Sequence, residues 1–326
     1  MASTRLVSFK WRWLAMWWAG QAVVLYYLWA LLLAEDLDDI RRVLTEAPDR
    51  DWALSVGLGI AMVSLLQAAA LLPLRRARMG KATWWGLLGR HAASGIAIGV
   101  MVSLVAWLPL RWLAEQSGEL WGSYLQDEIL YWAPAPVVGT IATIVLWRRY
   151  GTRTPLWLSA LTGAFLVGLL CAALAFAIVG VIDEYSSVDV EPMVPWIVLC
   201  VLPGWVVGTP LILAFLKRGA KESQLQRMSA RLLLGTVVEL AAVIPLDVMV
   251  RRKTDCYCGT GTYWALTIMG GVALCALGPF VLLAPAGRRR RRLREGRCEA
   301  CGYDMRGAAA DRCPECGAGW RGGKSA

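Results

Sequence analysis

Long apolar runs separated by short charged loops dominate the hydrophobic and polar pattern of this chain. A helix needs about 20 apolar residues to cross the hydrocarbon core of a bilayer, and several runs reach or approach that length. They cover residues 13–34, 52–74, 86–110, 129–147, 156–182, 194–216, 232–250 and 264–284. The pattern predicts an all-α polytopic membrane bundle of about eight transmembrane helices within residues 1–286.

The run 232–250 is less regular than the others, because Glu239, Pro245 and Asp247 interrupt it. It either crosses the membrane or enters and returns on the same side. Re-entry would move the five arginines at 288–292 and the whole tail to the outer side, against the positive-inside rule. We therefore prefer a crossing helix.

Composition agrees with a membrane protein. The chain is 57% hydrophobic and 18% charged, with a mean hydropathy of +0.50, which is more apolar surface than one soluble core buries. It also contains 18 Trp residues, a residue that favours the interface between lipid and water.

Loop charges predict the orientation in the membrane. Lys and Arg gather in alternate loops, and acids gather in the loops between them, as the positive-inside rule requires. We therefore predict an inner (cytoplasmic) membrane protein with its N- and C-termini in the cytoplasm. Arg251, Arg252 and Lys253 are an exception, because they fall on the outer side. The basic segments are 5–12, 75–81, 148–153, 217–231 and 288–292.

Two small-residue motifs are candidates for close contacts between membrane helices. They are Gly95-x-x-x-Gly99 and Gly204-x-x-x-Gly208, and glycines at this spacing let two helix backbones approach. Glycine is common in membrane spans, so the motifs alone do not show which of them marks a contact.

The strongest chemical pattern lies in the tail, where eleven residues separate Cys298-x-x-Cys301 from Cys313-x-x-Cys316. Each C-x-x-C turn presents two sulfurs to one ion, and two turns complete the four ligands of a structural Zn²⁺ site. The alternative is two disulfides, but thiols stay reduced in the cytoplasm, where the preceding basic run places the tail. Four protein ligands leave no open position, so the predicted zinc is structural.

The pattern C-x-x-C-G-Y-D-x-R-G followed by C-P-x-C-G resembles the zinc-ribbon tails of many bacterial polytopic membrane proteins of uncharacterised function. The resemblance implies rubredoxin-like knuckles on a short β-hairpin framework, and it does not extend to the membrane part. It divides the remaining chain into a basic juxtamembrane linker at 287–296, a zinc ribbon at 297–320 and a disordered tail at 321–326. The matching residues are Cys298, Cys301, Gly302, Tyr303, Asp304, Arg306, Gly307, Cys313, Pro314, Cys316 and Gly317.

Ionisable residues inside membrane spans are costly and often functional. Arg90 and His91, the single histidine of the chain, lie at a similar predicted depth to Glu239. We predict that Glu239 pairs with Arg90 or His91 across a helix interface. In the alternatives, Arg90 extends to the cytoplasmic phosphates and Glu239 is protonated.

A second group of polar residues falls near the predicted outer face. Asp247 and Arg251 have the i, i+4 spacing of a helical ion pair. Asp255, Cys256 and Cys258 follow as a candidate metal or redox site, although two thiols make an incomplete site and a disulfide across one residue is strained. A tight structural turn is the preferred interpretation of that loop.

No arrangement of nucleophile, base, paired carboxylates or open metal site is visible, so we do not expect an enzyme. Two functions remain. In the first, the zinc ribbon is a structural or interaction module for a cytoplasmic protein partner, and the bundle is its anchor or scaffold. In the second, the bundle is a transporter or channel with a polar path near Glu239, Asp247 and Arg90. Nucleic acid is a less favoured partner, because contact with the lipid bilayer accounts for the basic linker.

Overall fold

The computed structural model of the protein describes a set of segments that holds most of the predicted spans. The described residues are 11–33, 50–74, 84–116, 134–151, 154–186, 193–218, 221–254, 260–306 and 312–319. Within them the α-helices are α1 (Trp11–Leu33), α2 (Arg50–Leu71), α3 (Trp84–Gln116), α4 (Pro134–Tyr150), α5 (Trp157–Tyr185), α6 (Val194–Lys217), α7 (Lys221–Arg251) and α8 (Gly261–Arg294). A 3₁₀ turn, Leu72–Leu74, follows α2 directly.

A helix covers most of each predicted apolar run, so the helical membrane-like architecture is confirmed. Five helices of the described segments are long and apolar enough to cross a membrane. The qualifying stretches are Gly57–Leu74, Trp84–Val105, Trp157–Tyr185, Lys221–Arg251 and Gly261–Pro285.

Helix α5 forms the centre of the bundle and packs against α2, α6, α7 and α8. Phe165 of α5 is fully buried and meets the ring of Trp205 of α6, with ring centroids 5.4 Å apart. The Trp205 indole N–H also donates to the Leu161 carbonyl at 2.9 Å. Lipid tails are as apolar as these side chains, so close packing and hydrogen bonds of this kind hold membrane helices together.

Helix α4 packs chiefly on α3, and glycines make the contact close. A side chain at Gly95 would overlap Thr143 and the Gly139 carbonyl of α4, and one at Gly99 would overlap the Ala135 carbonyl. The first small-residue motif therefore marks a close contact. In the second motif Gly208 meets Ala164 of α5, whereas Gly204 has open space around it.

Helix α7 is continuous through Pro245 and runs in one direction along the bundle. In its first half Arg231 lies over the Phe215 ring at the end of α6, and near its end Met249 accepts a hydrogen bond from Tyr185 at the end of α5. Its 31 residues span about 46 Å. The described helix does not turn back, as a re-entrant segment would.

Acidic and aromatic partners lie beside the basic residues at the end of α7, which were the exception to the predicted charge pattern. Arg251 Nε bonds the Asp247 carboxylate at 3.0 Å, as the i, i+4 spacing predicts. Lys253 Nζ lies 3.9 Å from Glu184 Oε1 and 4.7 Å from the centroid of the Tyr185 ring. Acids and an aromatic ring at the same end of the bundle thus balance Arg251 and Lys253.

The segment 287–296, predicted as a separate linker, is largely helical, because α8 continues to Arg294. Arginine and leucine are good helix formers, so the change from apolar to basic residues alters the charge of the helix without ending it. The helix stops where Gly296 takes a φ of +70°, a conformation that favours glycine.

Candidate metal centre

The end of α8 is a Schellman cap that leads directly into the cysteine cluster. Gly296 N–H donates to the Leu293 carbonyl at 3.1 Å, and Arg297 N–H donates to the Arg292 carbonyl at 2.7 Å. These two bonds define the motif, and they satisfy carbonyls that a helix end leaves open. Cys298 is therefore only two residues beyond the capping glycine.

The two C-x-x-C segments fold as matching turns. In the first, Cys298 N–H donates to the Tyr303 carbonyl at 2.7 Å and Gly302 N–H donates to the Cys298 carbonyl at 3.0 Å. In the second, Cys313 bonds Ala318 at 2.8 Å and Gly317 bonds Cys313 at 2.9 Å in the same way. Each turn is closed by an isolated antiparallel bridge, Arg297 with Asp304 and Arg312 with Gly319.

The backbone conformation explains why a glycine follows the second cysteine of each pair. Gly302 has a φ of +88° and Gly317 a φ of +68°, values that side-chain-bearing residues rarely adopt. The left-handed turn lets the chain fold back so that both sulfurs of a pair point the same way. The C-x-x-C-G spacing thus encodes the local geometry of the site.

The four predicted ligands meet in space. The sulfurs of Cys298, Cys301, Cys313 and Cys316 all lie within 4.8 Å of one another, and the cysteines are free thiols. Two sulfur pairs from opposite turns, 298 with 316 and 301 with 313, are 3.6 and 3.5 Å apart. A tetrahedron with metal–sulfur bonds of about 2.3 Å has edges of about 3.8 Å. The cluster therefore fits one tetrahedrally bound metal ion.

Very few buried residues surround the sulfurs. Cys298 and Cys313 are buried, whereas Cys301 and Cys316 are exposed. Met305 is only 2% exposed, and with the two buried cysteines it forms the local core. A core of this size cannot hold a fold on its own, so an ion that crosslinks the turns would supply the missing stability.

The thiols differ in their readiness to ionise. The Cys301 backbone N–H is the main cause that lowers the pKa of Cys298 to about 6, against the opposing effect of desolvation. For Cys301, the Tyr303 backbone N–H lowers the pKa, but desolvation and the neighbouring thiols outweigh it and raise the value to about 12. Cys298 therefore forms a thiolate readily near neutral pH, whereas Cys301 ionises when a cation offsets the repulsion from its neighbours.

The predicted pairing of Glu239 with Arg90 or His91 does not appear among the described contacts. Arg90 donates to Thr154 Oγ1 at 3.0 Å, and His91 Nε2 lies 2.6 Å from the Gly151 carbonyl. Glu239 Oε2 is buried and has no hydrogen-bond partner among the residues the structure describes. The reason is helix arrangement: α3 packs chiefly on α4, whereas α7 packs chiefly on α8 and α5.

The other predicted polar features are distributed as follows. Asp255, Cys256 and Cys258 lie outside the described residues, as does the tail from 320 onward. A cavity of about 450 Å³ opens between α5 and α6, and its lining is almost entirely apolar. Arg90, Glu239 and Asp247 are not part of that lining. The residues that line it include Val167, Cys171, Val179, Trp196, Val201 and Gly204.

A buried polar contact that the sequence analysis did not identify joins three helices. Gln21 of α1 donates from Nε2 to Gln67 Oε1 of α2 at 3.0 Å, and Gln67 Nε2 donates to the Leu274 carbonyl of α8 at 2.7 Å. Both glutamines lie within apolar runs. A polar side chain in such a run indicates an interhelical hydrogen bond, and this is how the sequence could have revealed the contact.

Comparisons with protein-family models, with curated proteins and with solved structures found no match for this chain.

Proposed function

We propose that this is an inner-membrane protein of about eight transmembrane helices that carries a structural zinc ion in a cytoplasmic ribbon. The ribbon serves as an interaction module, and the bundle serves as its anchor or scaffold. The single observation that carries the proposal is the cluster of four cysteine sulfurs within 4.8 Å of one another.

Zinc is the proposed ion for chemical reasons. Tetrahedral sites with four sulfurs suit Zn²⁺ or iron, and zinc in such sites is redox-inactive and purely structural. Four thiolates complete the coordination, so water and substrate have no position on the ion. The residues here fit a stabilising role and leave no place for chemistry at the metal.

The arrangement of helix ends supports a cytoplasmic tail. Gly180 near the end of α5 contacts Gly261 at the start of α8, and the ends of α5 and α7 also meet. Helix α8 therefore ends at the opposite side of the bundle, where α7 starts with Lys221. The bases at 217–231 and 288–292 fall on this one side, which fits the positive-inside rule.

The exposed surface of the ribbon favours a protein partner over nucleic acid. Tyr303 is 42% exposed, and tyrosine and arginine are enriched at protein interfaces. The charges of the described ribbon balance, without the excess of positive charge that binding to phosphates requires. The basic residues are Arg297, Arg306 and Arg312, and the acidic residues are Glu299, Asp304 and Glu315.

Purification in detergent followed by elemental analysis tests the metal. We expect about one zinc per chain and no stoichiometric iron. A copurification screen that compares the full chain with a version ending at Gly287 tests the interaction module, and we expect specific partners only with the full chain. A zinc-free preparation, or the same partners from both versions, would contradict the proposal.

Transport through the bundle is a second candidate, and one observation favours it. Glu239 Oε2 is buried on α7 without a hydrogen-bond partner among the described residues, and unpaired carboxyl groups inside membranes often mark ion or proton pathways. Proton flux into liposomes containing the purified protein, compared with the Glu239→Gln variant, tests this function. Equal flux from both proteins would remove Glu239 from any such path.

A further inference from the structure

Two arginines cross the junction between α8 and the cysteine cluster in opposite directions. Arg292, in the last turn of α8, donates from Nη1 to the Ala300 carbonyl inside the first C-x-x-C turn at 3.0 Å. Arg306, after that turn, donates from Nε to the Glu295 carbonyl at the end of α8 at 2.9 Å. An arginine on each side of the junction therefore bonds a backbone carbonyl on the other side.

Backbone hydrogen bonds reinforce the same junction. Met305 N–H donates to the Gly296 carbonyl at 2.8 Å, so the capping glycine is bonded both to the helix and to the ribbon. The Arg306 side chain packs against Gly296, and the Arg292 side chain packs against Gly302. The described chain between α8 and Cys298 is thus fixed on both sides and does not behave as a flexible linker.

Charge explains why arginine stands at both positions. The C-terminal end of a helix carries about half a negative charge, and Zn²⁺ with four thiolates carries a net charge of about −2. The two groups repel across the few residues that separate them. The guanidinium groups of Arg292 and Arg306 offset this repulsion, and their bonds to the Ala300 and Glu295 carbonyls hold the backbone that joins the helix end to the first cysteine pair.

We infer that Arg292 and Arg306 are positioning residues of the metal site and that the metal-loaded ribbon is the C-terminal cap of α8. Binding of the ion orders the first turn, the first turn holds both arginines in place, and the arginines hold the last turn of the helix. Loss of the metal therefore loosens the end of α8. This inference rests on the proposed metal function.

The test uses the full-length protein in detergent with Zn²⁺ and Co²⁺ as probes. Arg292→Gln and Arg306→Gln remove the guanidinium groups, and Arg306→Lys restores a cation at one position. Arg312→Gln is the matched control, because Arg312 is an exposed ribbon arginine whose described contact is a backbone bridge. Competition with a chelator measures zinc affinity, and the Co²⁺ spectrum reports whether four sulfurs still bind.

We expect each glutamine variant to weaken zinc binding by about 10-fold, the lower end of the effect of removing a group that bonds a metal ligand, because these arginines bond the backbone around the ligands instead. The Co²⁺ spectrum stays that of a four-sulfur site, Arg306→Lys recovers part of the affinity, and Arg312→Gln binds like the wild type. Hydrogen exchange in the wild type rises on metal removal at the amides of 295–297, which bond the last turn of α8. The middle of α8 keeps its protection.

Unchanged zinc affinity in both glutamine variants would overturn the positioning role. Equal protection of the 295–297 amides with and without metal would overturn the capping role. Either result leaves the proposed metal function intact if the wild type binds one zinc. Absence of metal binding by the wild type overturns both proposals.

Discussion

Gln67 of α2 donates its side-chain amide to the backbone carbonyl of Leu274 on α8 at 2.7 Å, inside the apolar bundle. A side chain at Gly278 of α8 would overlap the Gln67 amide, so only glycine fits at this position. The glycine lets the glutamine reach the α8 backbone, and Gln21 on α1 bonds the same amide. One side chain thereby connects three helices.

Replacement of Gln67 by leucine should destabilise the bundle. The substitution removes bonds to Gln21 and Leu274 and leaves the buried Gln21 amide without a partner. Interhelical hydrogen bonds in membranes contribute about 0.6 kcal/mol on average and up to about 1.7 kcal/mol, so we expect a loss of about 1–2 kcal/mol. Unfolding of the purified protein in detergent and denaturant measures it.

A double-mutant cycle separates the Gln21–Gln67 bond from other effects. We expect Gln21→Leu combined with Gln67→Leu to cost less than the sum of the two single changes, because the second change removes a group that the first left unpaired. Additive losses would show that the two amides do not interact.

Removal of one buried ligand should abolish metal binding. We expect Cys313→Ser to lower bound zinc from about one ion per chain to a small fraction, because three thiolates no longer close the tetrahedron. Cys171→Ser is the control, since Cys171 is an exposed free cysteine on α5 that lies far along the chain from the cluster. Elemental analysis of both variants measures the difference, and full zinc retention by Cys313→Ser would contradict the prediction.

The pH dependence of zinc binding should steepen in acid. Metal binding needs thiolates, so it releases the protons that the free thiols still hold. At pH 7 Cys298, with its pKa lowered to about 6, holds almost no proton, whereas Cys301, with its pKa raised to about 12, holds one. As the pH falls through about 6, Cys298 gains a proton that zinc must displace.

The logarithm of the zinc affinity should therefore fall by about one additional unit per pH unit below about pH 6. Titrations with a chelator of known pH dependence between pH 5 and 8 measure the slope. A constant slope across this range would show that Cys298 does not titrate there.

The glycine contact between α3 and α4 should tolerate no larger side chain. Gly99→Leu would meet the Ala135 carbonyl of α4, and overpacking of this kind costs about 1–3 kcal/mol. Gly204→Leu is the matched control from the other small-residue motif, because open space surrounds that glycine. Thermal unfolding in detergent should show a lower transition temperature for the first variant and little change for the second.

The sequence predicts the helices and the four-cysteine cluster well, because both are local patterns. Apolar runs define helices through the bilayer thickness, and the C-x-x-C-G spacing defines the turns that present the sulfurs. Two local predictions were incomplete. The basic run after 287 looked like a linker because its charge changes, but its residues favour a helix, and Met305 was not recognised as part of the ribbon core.

Contacts between helices were much harder to predict. Arg90 and Glu239 have similar depths only when depth is counted from the starts of the predicted apolar runs. In the structure α7 begins at Lys221, so Glu239 lies near the middle of its helix, whereas Arg90 lies near the start of α3. Which helices lie side by side depends on packing across the whole bundle, and the structure brings Arg90 to Thr154 instead. The Gln67–Leu274 bond escaped prediction for the same reason.

The fixed junction between α8 and the ribbon makes the helix a lever arm. The 34 residues of α8 span about 51 Å, so a rotation of the whole helix by about 10° about Gly261 moves its last turn sideways by about 9 Å. The ribbon must travel with it, because the junction has no hinge. A molecule attached to the ribbon would thus experience small rotations at the far end of the bundle as displacements of several ångströms.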